Sequence, residues 1–313
     1  MNTNYHWLAT EVNLPHDCVL WVLHHRQRHS IEEARRQCSD WDQARRIVLI
    51  DQEGQYSGEE LEADPRLVLY DSVWVDHAQV RPWMYFFREV VHVDKFTQLS
   101  AKCKPWREKT ADYLFDCLLG TMWPNKKFVQ QRVDLCSFQY KFLQGSRQPH
   151  IGAVDQDWLY GGGYEIALPR IEFTAGQQVN IASYVPCEIY NQSWYSVVAE
   201  SYRPRVFITE KIAKPIMAKR LFVVFGSRYT LKALKDLGFM TFDSVIDESY
   251  DSIMDDTDRW NAAWQQIEHL SQLDPHEVYH SIQQIVDHNH RNLVETDWHG
   301  LLVKSIQQQL TFV

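Results

Sequence analysis

Short apolar runs alternate with polar, helix-like segments in the first third of the chain. The runs are CVLWVL (18–23), RIVLID (46–51) and RLVLYDSVWV (66–75), and each has the length of a strand. Between the first two, Ser30 and Glu33 have the spacing of a capping box, which predicts a helix that begins near Ile31. Strands that alternate with helices are typical of a parallel sheet with crossover helices. The pattern therefore predicts an α/β fold here.

A second set of alternating elements follows. The sequence predicts strands at 113–120, 194–201 and 221–227, and helices near 124–134, 209–219, 230–239, 259–273 and 276–295. The stretch 144–193 is irregular, which predicts short strands or an insertion rather than one long loop. We expect two domains, 1–108 and 109–313, with the boundary close to Pro105.

Composition narrows the class of protein. A hydrophobic content of 45% in 313 residues excludes low-complexity disorder. The net charge of −9 disfavours a nucleic acid as partner but leaves a local basic cleft open. The six cysteines form no CxxC pair, which predicts reduced thiols. The N-terminus has no signal pattern and no apolar run is long enough for a membrane span, so we expect a cytoplasmic protein.

The segment with most chemical content is WYSVVAESYRPRVFITEKIAKPIMAKRLFVVFGS, 194–227. A predicted strand ends at Glu200, and the next helix begins with Thr209, Glu210 and Lys211. A lysine in the first turn is unfavourable for the helix dipole, unless it faces an anion such as a diphosphate. Glu210 could accept hydrogen bonds from ribose hydroxyls, and Gly226 lets a ligand approach the backbone. An ordinary helix with a solvated start explains the spacing equally simply.

These residues resemble a known motif. Ala-Glu-Ser at 199–201, Phe-Ile-Thr-Glu-Lys-Ile at 207–212 and Leu-Phe-Val-Val-Phe-Gly-Ser at 221–227 are similar to the C-terminal donor-binding motif of the α-1,3-fucosyltransferase-like glycosyltransferases. In that family the lysine holds the phosphates of a sugar nucleotide, and the glutamates contact the ribose and the donor sugar. The resemblance thus implies donor-binding roles for Glu200, Glu210 and Lys211. The stretch 237–251 is also similar to uncharacterised glycosyltransferases of phages and marine microbes.

The chain departs from the family pattern at several positions. Ala199 replaces a phenylalanine, and Ser201 stands where the family has asparagine. After a strand that resembles 113–120 the family has an arginine on the diphosphate, whereas this chain has Lys126 and Lys127. A lysine supplies the charge without a bidentate grip. We therefore expect Lys126 or Lys127 on the phosphates, with Arg205 as a further cation, and a GDP-fucose-like donor is favoured but not fixed.

The sequence indicates the acceptor site less clearly than the donor site. An inverting transferase needs a general base beside the acceptor hydroxyl. The resemblance implies a carboxylate in the N-terminal half, but no local motif marks it. Asp71 and His77 are our candidates because the sequence predicts both at or just beyond strand ends.

Two Asp-rich segments raise the question of a metal. Asp155-Gln156-Asp157 and Asp255-Asp256-Thr257-Asp258 resemble the Asp-x-Asp motif that holds a divalent ion in other sugar transferases. The second segment precedes a predicted helix directly, which favours N-terminal capping. We expect no metal site and no resident cofactor.

The combined prediction is a GT-B-like α/β protein, with two Rossmann-like domains that face a cleft and with C-terminal helices. The resemblance implies a glycosyltransferase that moves a sugar from a nucleoside-diphosphate sugar to a hydroxyl acceptor, such as a glycan, by metal-independent inversion. Three alternatives stay open: a non-catalytic sugar-nucleotide or glycan-binding protein, a metal-dependent sugar transferase of another architecture, and a phage enzyme that glycosylates modified DNA.

Overall fold

The computed structural model describes residues 6–23, 31–51, 56, 58–74, 77–119, 123–140, 142–146, 184–201 and 205–311. This part contains two parallel sheets and many helices, which confirms the predicted mixed α/β class. The chain divides into two compact units, Met1–Arg88 with Asp297–Val313, and Glu89–Thr296.

The first unit is built on a four-stranded parallel sheet in the order β1-β2-β3-β4. Its strands are β1 (Cys18–Val22), β2 (Arg46–Ile50), β3 (Leu67–Asp71) and β4 (Val80–Pro82). The helices are α1 (His6–Glu11), α2 (Ile31–Gln37), α3 (Gly58–Glu62) and α4 (Tyr85–Thr97), the last of which runs across the division at residue 88. Every residue of β3 is buried, as the apolar run 67–70 predicts for a parallel strand, and the burial extends to Asp71. It ends before the predicted 75, where the Asp71 carboxylate accepts the Val73 backbone N–H at 2.9 Å.

The second unit contains β5 (Tyr113–Leu119), β6 (Phe142–Ser146), β7 (Ser193–Ala199) and β8 (Phe222–Phe225). Its helices are α5 (Pro124–Tyr140), α6 (Cys187–Gln192), α7 (Glu210–Met217), α8 (Thr230–Asp236), α9 (Asp256–Leu270) and α10 (Pro275–Glu295). The strands are parallel in the order β6-β5-β7-β8. The strand β6, which follows β5 in the chain, lies on one side of β5, and the next strand, β7, lies on its other side. This order places a topological switch point between the carboxyl ends of β5 and β7, where open α/β sheets bind ligands.

The last helix, α11 (Trp298–Thr311), packs on the first sheet. Leu302, Ile306 and Leu310 are buried against the same face of the sheet as α1, and the Tyr70 hydroxyl lies 2.9 Å from Ser305 Oγ. The predicted division at 108/109 assigns this helix to the second domain, so the observed units differ from it. The reason is that the apolar stripe of α11 covers strands almost the whole chain length away.

A buried ion pair lies near the amino-terminal ends of β7 and β8. Arg220 Nη2 donates to Asp116 Oδ2 at 2.6 Å, and both side chains are almost fully buried. The other guanidinium donors reach the Ser193 and Ser196 hydroxyls and two backbone carbonyls, those of Tyr190 and Ser193. The pair is therefore surrounded by hydrogen-bond partners, as a buried charge requires.

Lys109 lies beside this pair and gives a pH-dependent prediction. Burial, together with the nearby Arg220 charge, lowers the pKa of the Lys109 ammonium to about 6. The unfolded chain, with a lysine pKa of about 10.4, therefore binds more protons than the folded chain between these values, and stability rises with pH. We expect the free energy of unfolding to increase by about 1 kcal/mol per pH unit between pH 7 and 8. Chemical denaturation across this range measures the slope.

Lys109→Met should remove most of that slope and stabilise the protein at pH 7, because no ammonium then has to lose its proton on folding. Lys104→Met, at an exposed nearby lysine, is the matched control and should leave the slope unchanged. An equal slope in the Lys109→Met variant and the unchanged protein would contradict the assignment.

Within the described residues, no helix combines the length and the apolar character needed to cross a membrane.

Candidate functional site

The carboxyl end of β7 holds a buried carboxylate. Glu200 follows β7 directly and is only 1% exposed. Its Oε1 accepts the Thr209 backbone N–H at 2.9 Å, and its Oε2 accepts the Thr209 hydroxyl at 2.7 Å and the Ser201 N–H at 3.1 Å. Burial raises the pKa of Glu200, and the Lys211 charge opposes this shift. Glu200 thus joins the end of β7 to the start of α7.

Alternating charges follow along the first turns of α7. Thr209 is the N-cap, as predicted, and its hydroxyl accepts the Lys211 backbone N–H. The Lys211 ammonium lies 2.9 Å from Glu210 Oε1 and 3.9 Å from Glu200 Oε2, and it also donates to Thr209 Oγ1 at 3.0 Å and Ser201 Oγ at 3.4 Å. We call Glu200, Thr209, Glu210, Lys211 and Lys214 the carboxyl-edge cluster.

Lys214 belongs to this cluster although sequence analysis did not select it. Burial and the Lys211 charge lower the pKa of the Lys214 ammonium to about 8, and Glu210 opposes the shift. Burial alone would raise the pKa of Glu210, but the two lysine charges hold it below its usual range. The four-residue spacing from Glu210 to Lys214 on one helix face was the signal that could have found it.

Asn125 was also missed, and it connects α5 to the same edge of the sheet. It is fully buried in the first turn of α5, where its Nδ2 donates to the Glu200 carbonyl at 2.8 Å and to the Phe225 carbonyl at 2.7 Å. Its Oδ1 has no hydrogen-bond partner among the described residues. One side chain therefore ties the start of α5 to the carboxyl ends of both β7 and β8. Pro124 at the first helical position would have marked this turn.

The other predicted donor-binding residues lie in differing environments. Lys126 is in the first turn of α5 and is 2% exposed, whereas Lys127 is exposed. The Arg205 side chain is exposed, and its carbonyl accepts the Ser227 hydroxyl at 2.8 Å, beyond the end of β8. A Cβ atom at Gly226 would lie 3.0 Å from Thr230 Oγ1 and 3.7 Å from Glu200 Cβ. The small size of Gly226 thus serves close packing of the protein itself.

The structure does not bring the two base candidates together. Asp71 is the last residue of β3 and lies buried at the carboxyl edge of the first sheet. His77 precedes β4, where its Nδ1 accepts the Gln79 N–H at 3.2 Å and its Nε2 lies 3.6 Å from Glu62 Oε1. Because β3 and β4 are parallel, the start of β4 lies at the opposite edge. The expected place of His77 beyond a strand end is corrected: it lies before a strand.

The Asp-rich segment before α9 is a helix cap. Asp255 is the N-cap and accepts the Asp258 N–H at 2.9 Å, which confirms the capping interpretation. The segment Asp155–Asp157 lies outside the described residues. Among the residues that are described, no group of three or more His, Cys, Asp or Glu side chains could hold a metal ion.

Asn125 gives a testable prediction about how the site is held. Asn125→Asp replaces the amide donor by an oxygen that faces two carbonyls, so we expect the protein to lose about 2 kcal/mol of stability. The edge that carries Glu200 should also loosen, and affinity for an anionic ligand of the cluster should fall. Thermal denaturation and ligand titration measure both effects.

Asn289→Asp is the matched control, because Asn289 is also buried and bonds to the Met240 backbone N–H and carbonyl at 2.8 Å each. It should lose similar stability without loss of ligand affinity. If both variants keep full affinity, Asn125 has a structural role alone.

Comparisons with known proteins do not identify a family for this chain. No protein-family model matches this sequence, and no curated protein matches it either. Among solved structures, a crystal structure of an α1,3-fucosyltransferase with GDP-fucose is similar over 88% of this chain and 79% of that chain. The two are 12% identical, with a TM-score of 0.36. A similarity at this level does not identify a substrate or a reaction, which have to come from the site itself.

Proposed function

We propose that this chain is a glycosyltransferase that binds a nucleoside-diphosphate sugar at the carboxyl edge of its second sheet. The observation that carries the proposal is the Glu200–Thr209–Lys211 arrangement at the topological switch point between β5 and β7. This arrangement joins a partly exposed ammonium to the N-terminus of α7, and both favour a negatively charged ligand. The motif resemblance supports the same assignment and favours a GDP-fucose-like donor.

The residues at this edge of the sheet have different roles in donor binding. Lys211 is 23% exposed in its side chain, and its 3.4 Å hydrogen bond to Ser201 is the one that a phosphate oxygen would replace. Lys126, in the first turn of α5, would add a second positive charge. Glu210 would accept hydrogen bonds from the ribose. Because both Glu200 oxygens already accept hydrogen bonds, we assign Glu200 to positioning Thr209 and Lys211 rather than to contact with the sugar.

The proposed reaction is an inverting displacement without a metal. The acceptor oxygen forms a bond to the anomeric carbon, while the bond from that carbon to the diphosphate oxygen breaks and its electron pair leaves with the diphosphate. The acceptor proton passes to a protein carboxylate, and Asp71 stays a prediction for this base. Lys211 and the α7 dipole stabilise the charge that develops on the departing diphosphate. His77 lies at the other edge of its sheet, so we do not assign it as the base.

A panel of GDP, UDP, ADP and CDP tests donor binding by thermal shift. We expect one diphosphate to raise the melting temperature, and the corresponding sugar nucleotide to be hydrolysed slowly in the absence of acceptor. Stabilisation by none of the four would refute the proposal. Stabilisation without any donor hydrolysis would instead indicate a non-catalytic sugar-nucleotide-binding protein, and hydrolysis that stops with a chelator would contradict the metal-free mechanism.

A further inference from the structure

An exposed patch of three unlike side chains follows the end of β8. The Tyr229 ring is 40% exposed and Met254 is 77% exposed. The Arg228 guanidinium carbon lies 4.2 Å from the centroid of the Tyr229 ring, and Arg228 Nη1 lies 2.9 Å from Met254 Sδ. Patches that combine an aromatic face, a thioether and a guanidinium suit a flat, polarisable ligand.

The backbone of Tyr229 is held in an uncommon conformation. Its φ of 69° lies in the left-handed region, which a tyrosine adopts only when its surroundings require it. The Tyr229 N–H donates to the Asp251 carbonyl at 2.8 Å, and the Asp251 carboxylate accepts the Leu231 and Lys232 N–H groups. These bonds hold the ring on the surface instead of letting it pack into the core.

The patch lies a short length of chain away from the carboxyl-edge cluster. Gly226 packs against Glu200, whose Cβ lies 3.7 Å from the position of a Cβ on Gly226. Tyr229 follows Gly226 by three residues, a length of chain that spans at most about 10 Å. The base of a nucleoside diphosphate lies one ribose away from its phosphates, so a diphosphate on Lys211 would place the base within reach of this patch.

We propose that Tyr229, supported by Arg228 and Met254, forms the subsite that binds the nucleobase of the donor. This inference rests on the proposed function and adds to it the place and the chemistry of base recognition. The base stacks on the face of the Tyr229 ring that Arg228 does not cover, while Arg228 supports the ring from the other face and Met254 contacts Arg228. The diphosphate stays on Lys211, so the two halves of the ligand are bound by separate residues.

The experiment compares a nucleoside diphosphate with inorganic pyrophosphate, which has the charge but no base. Isothermal titration gives the affinity of each ligand for the unchanged protein and for Tyr229→Gly and Tyr229→Phe. Glycine adopts the left-handed conformation without strain, so Tyr229→Gly removes the ring without endangering the fold. Tyr229→Phe keeps the ring and removes only the hydroxyl. Met240→Ala, at a side chain that is 46% exposed in the segment after α8, is the matched control.

We expect Tyr229→Gly to lower the affinity for the nucleoside diphosphate about tenfold, since stacking of a base on an aromatic ring contributes on this scale. The affinity for pyrophosphate should stay unchanged. Tyr229→Phe and Met240→Ala should leave both affinities within twofold. Equal losses for both ligands in Tyr229→Gly, or no loss for either, would overturn the base subsite while the proposed function stands. Binding of neither ligand to the unchanged protein would overturn both.

Discussion

Replacing Lys211 by methionine is expected to weaken binding of a nucleoside diphosphate about 100-fold, the loss that removal of a charge-assisted hydrogen bond to a phosphate produces. The same change leaves the carboxylates of Glu200 and Glu210 without the ammonium that now lies 3.9 Å and 2.9 Å from them. The negative charges of these two carboxylates then repel the negatively charged ligand. Binding of pyrophosphate should be weakened as strongly, because the base does not contribute to the contact between Lys211 and the phosphates.

The matched control is Lys232→Met, at an exposed lysine that pairs with Asp236 on α8. An exposed ion pair contributes little, so this variant should bind the diphosphate normally. Titration calorimetry on both variants, after a check of their melting temperatures, decides the matter. Unchanged affinity in a folded Lys211→Met protein would exclude Lys211 from the phosphate site.

Arg220→Met is expected to cost about 4 kcal/mol of stability, since it leaves the Asp116 carboxylate buried without its counter-charge. The two residues are 104 positions apart and join β5 to the start of β8 through a bond of 2.6 Å. The variant also leaves the Ser193 and Ser196 hydroxyls without a guanidinium donor. Urea denaturation at neutral pH measures the loss.

The double variant Asp116→Leu, Arg220→Met separates two explanations of that loss. If the cost comes from an unpaired charge, removal of both partners should restore most of the stability, because apolar side chains of similar volume often replace a buried pair without loss. If the double variant is as unstable as Arg220→Met, the hydrogen bonds of Arg220 to the backbone are what matters. The carboxyl-edge cluster lies at the other end of the strands, so diphosphate binding should survive in the double variant.

Several elements of the fold could be predicted because their signals are local. The strands β1 and β8 appear as unbroken apolar runs, and β2 and β7 as apolar runs with one or two polar residues. Thr209 and Asp255 were identified as helix caps, since a cap bonds to backbone two or three residues away. The short strands β4 and β6 were not predicted, because three to five residues of mixed polarity have no distinct period.

Only part of the candidate site could be predicted, because only some of its residues are close to one another in the sequence. Glu200, Glu210 and Lys211 lie within one continuous segment, so a motif could indicate them. Asn125 reaches the Glu200 carbonyl from 75 residues away, and only the sheet order brings the two together. The opposite holds for Asp71 and His77, which are close in sequence but lie at opposite edges of a parallel sheet.

The sequence by itself therefore determined the α/β class, most element positions, the caps and the donor-site motif, all of which depend on residues within one or two turns. The tertiary structure decided which strands are neighbours, and hence where the switch point lies. It also decided that α11 covers the first sheet and that Asn125 holds the edge of the second. These features depend on burial and on hydrogen bonds between distant residues, which a periodic pattern along the chain does not specify.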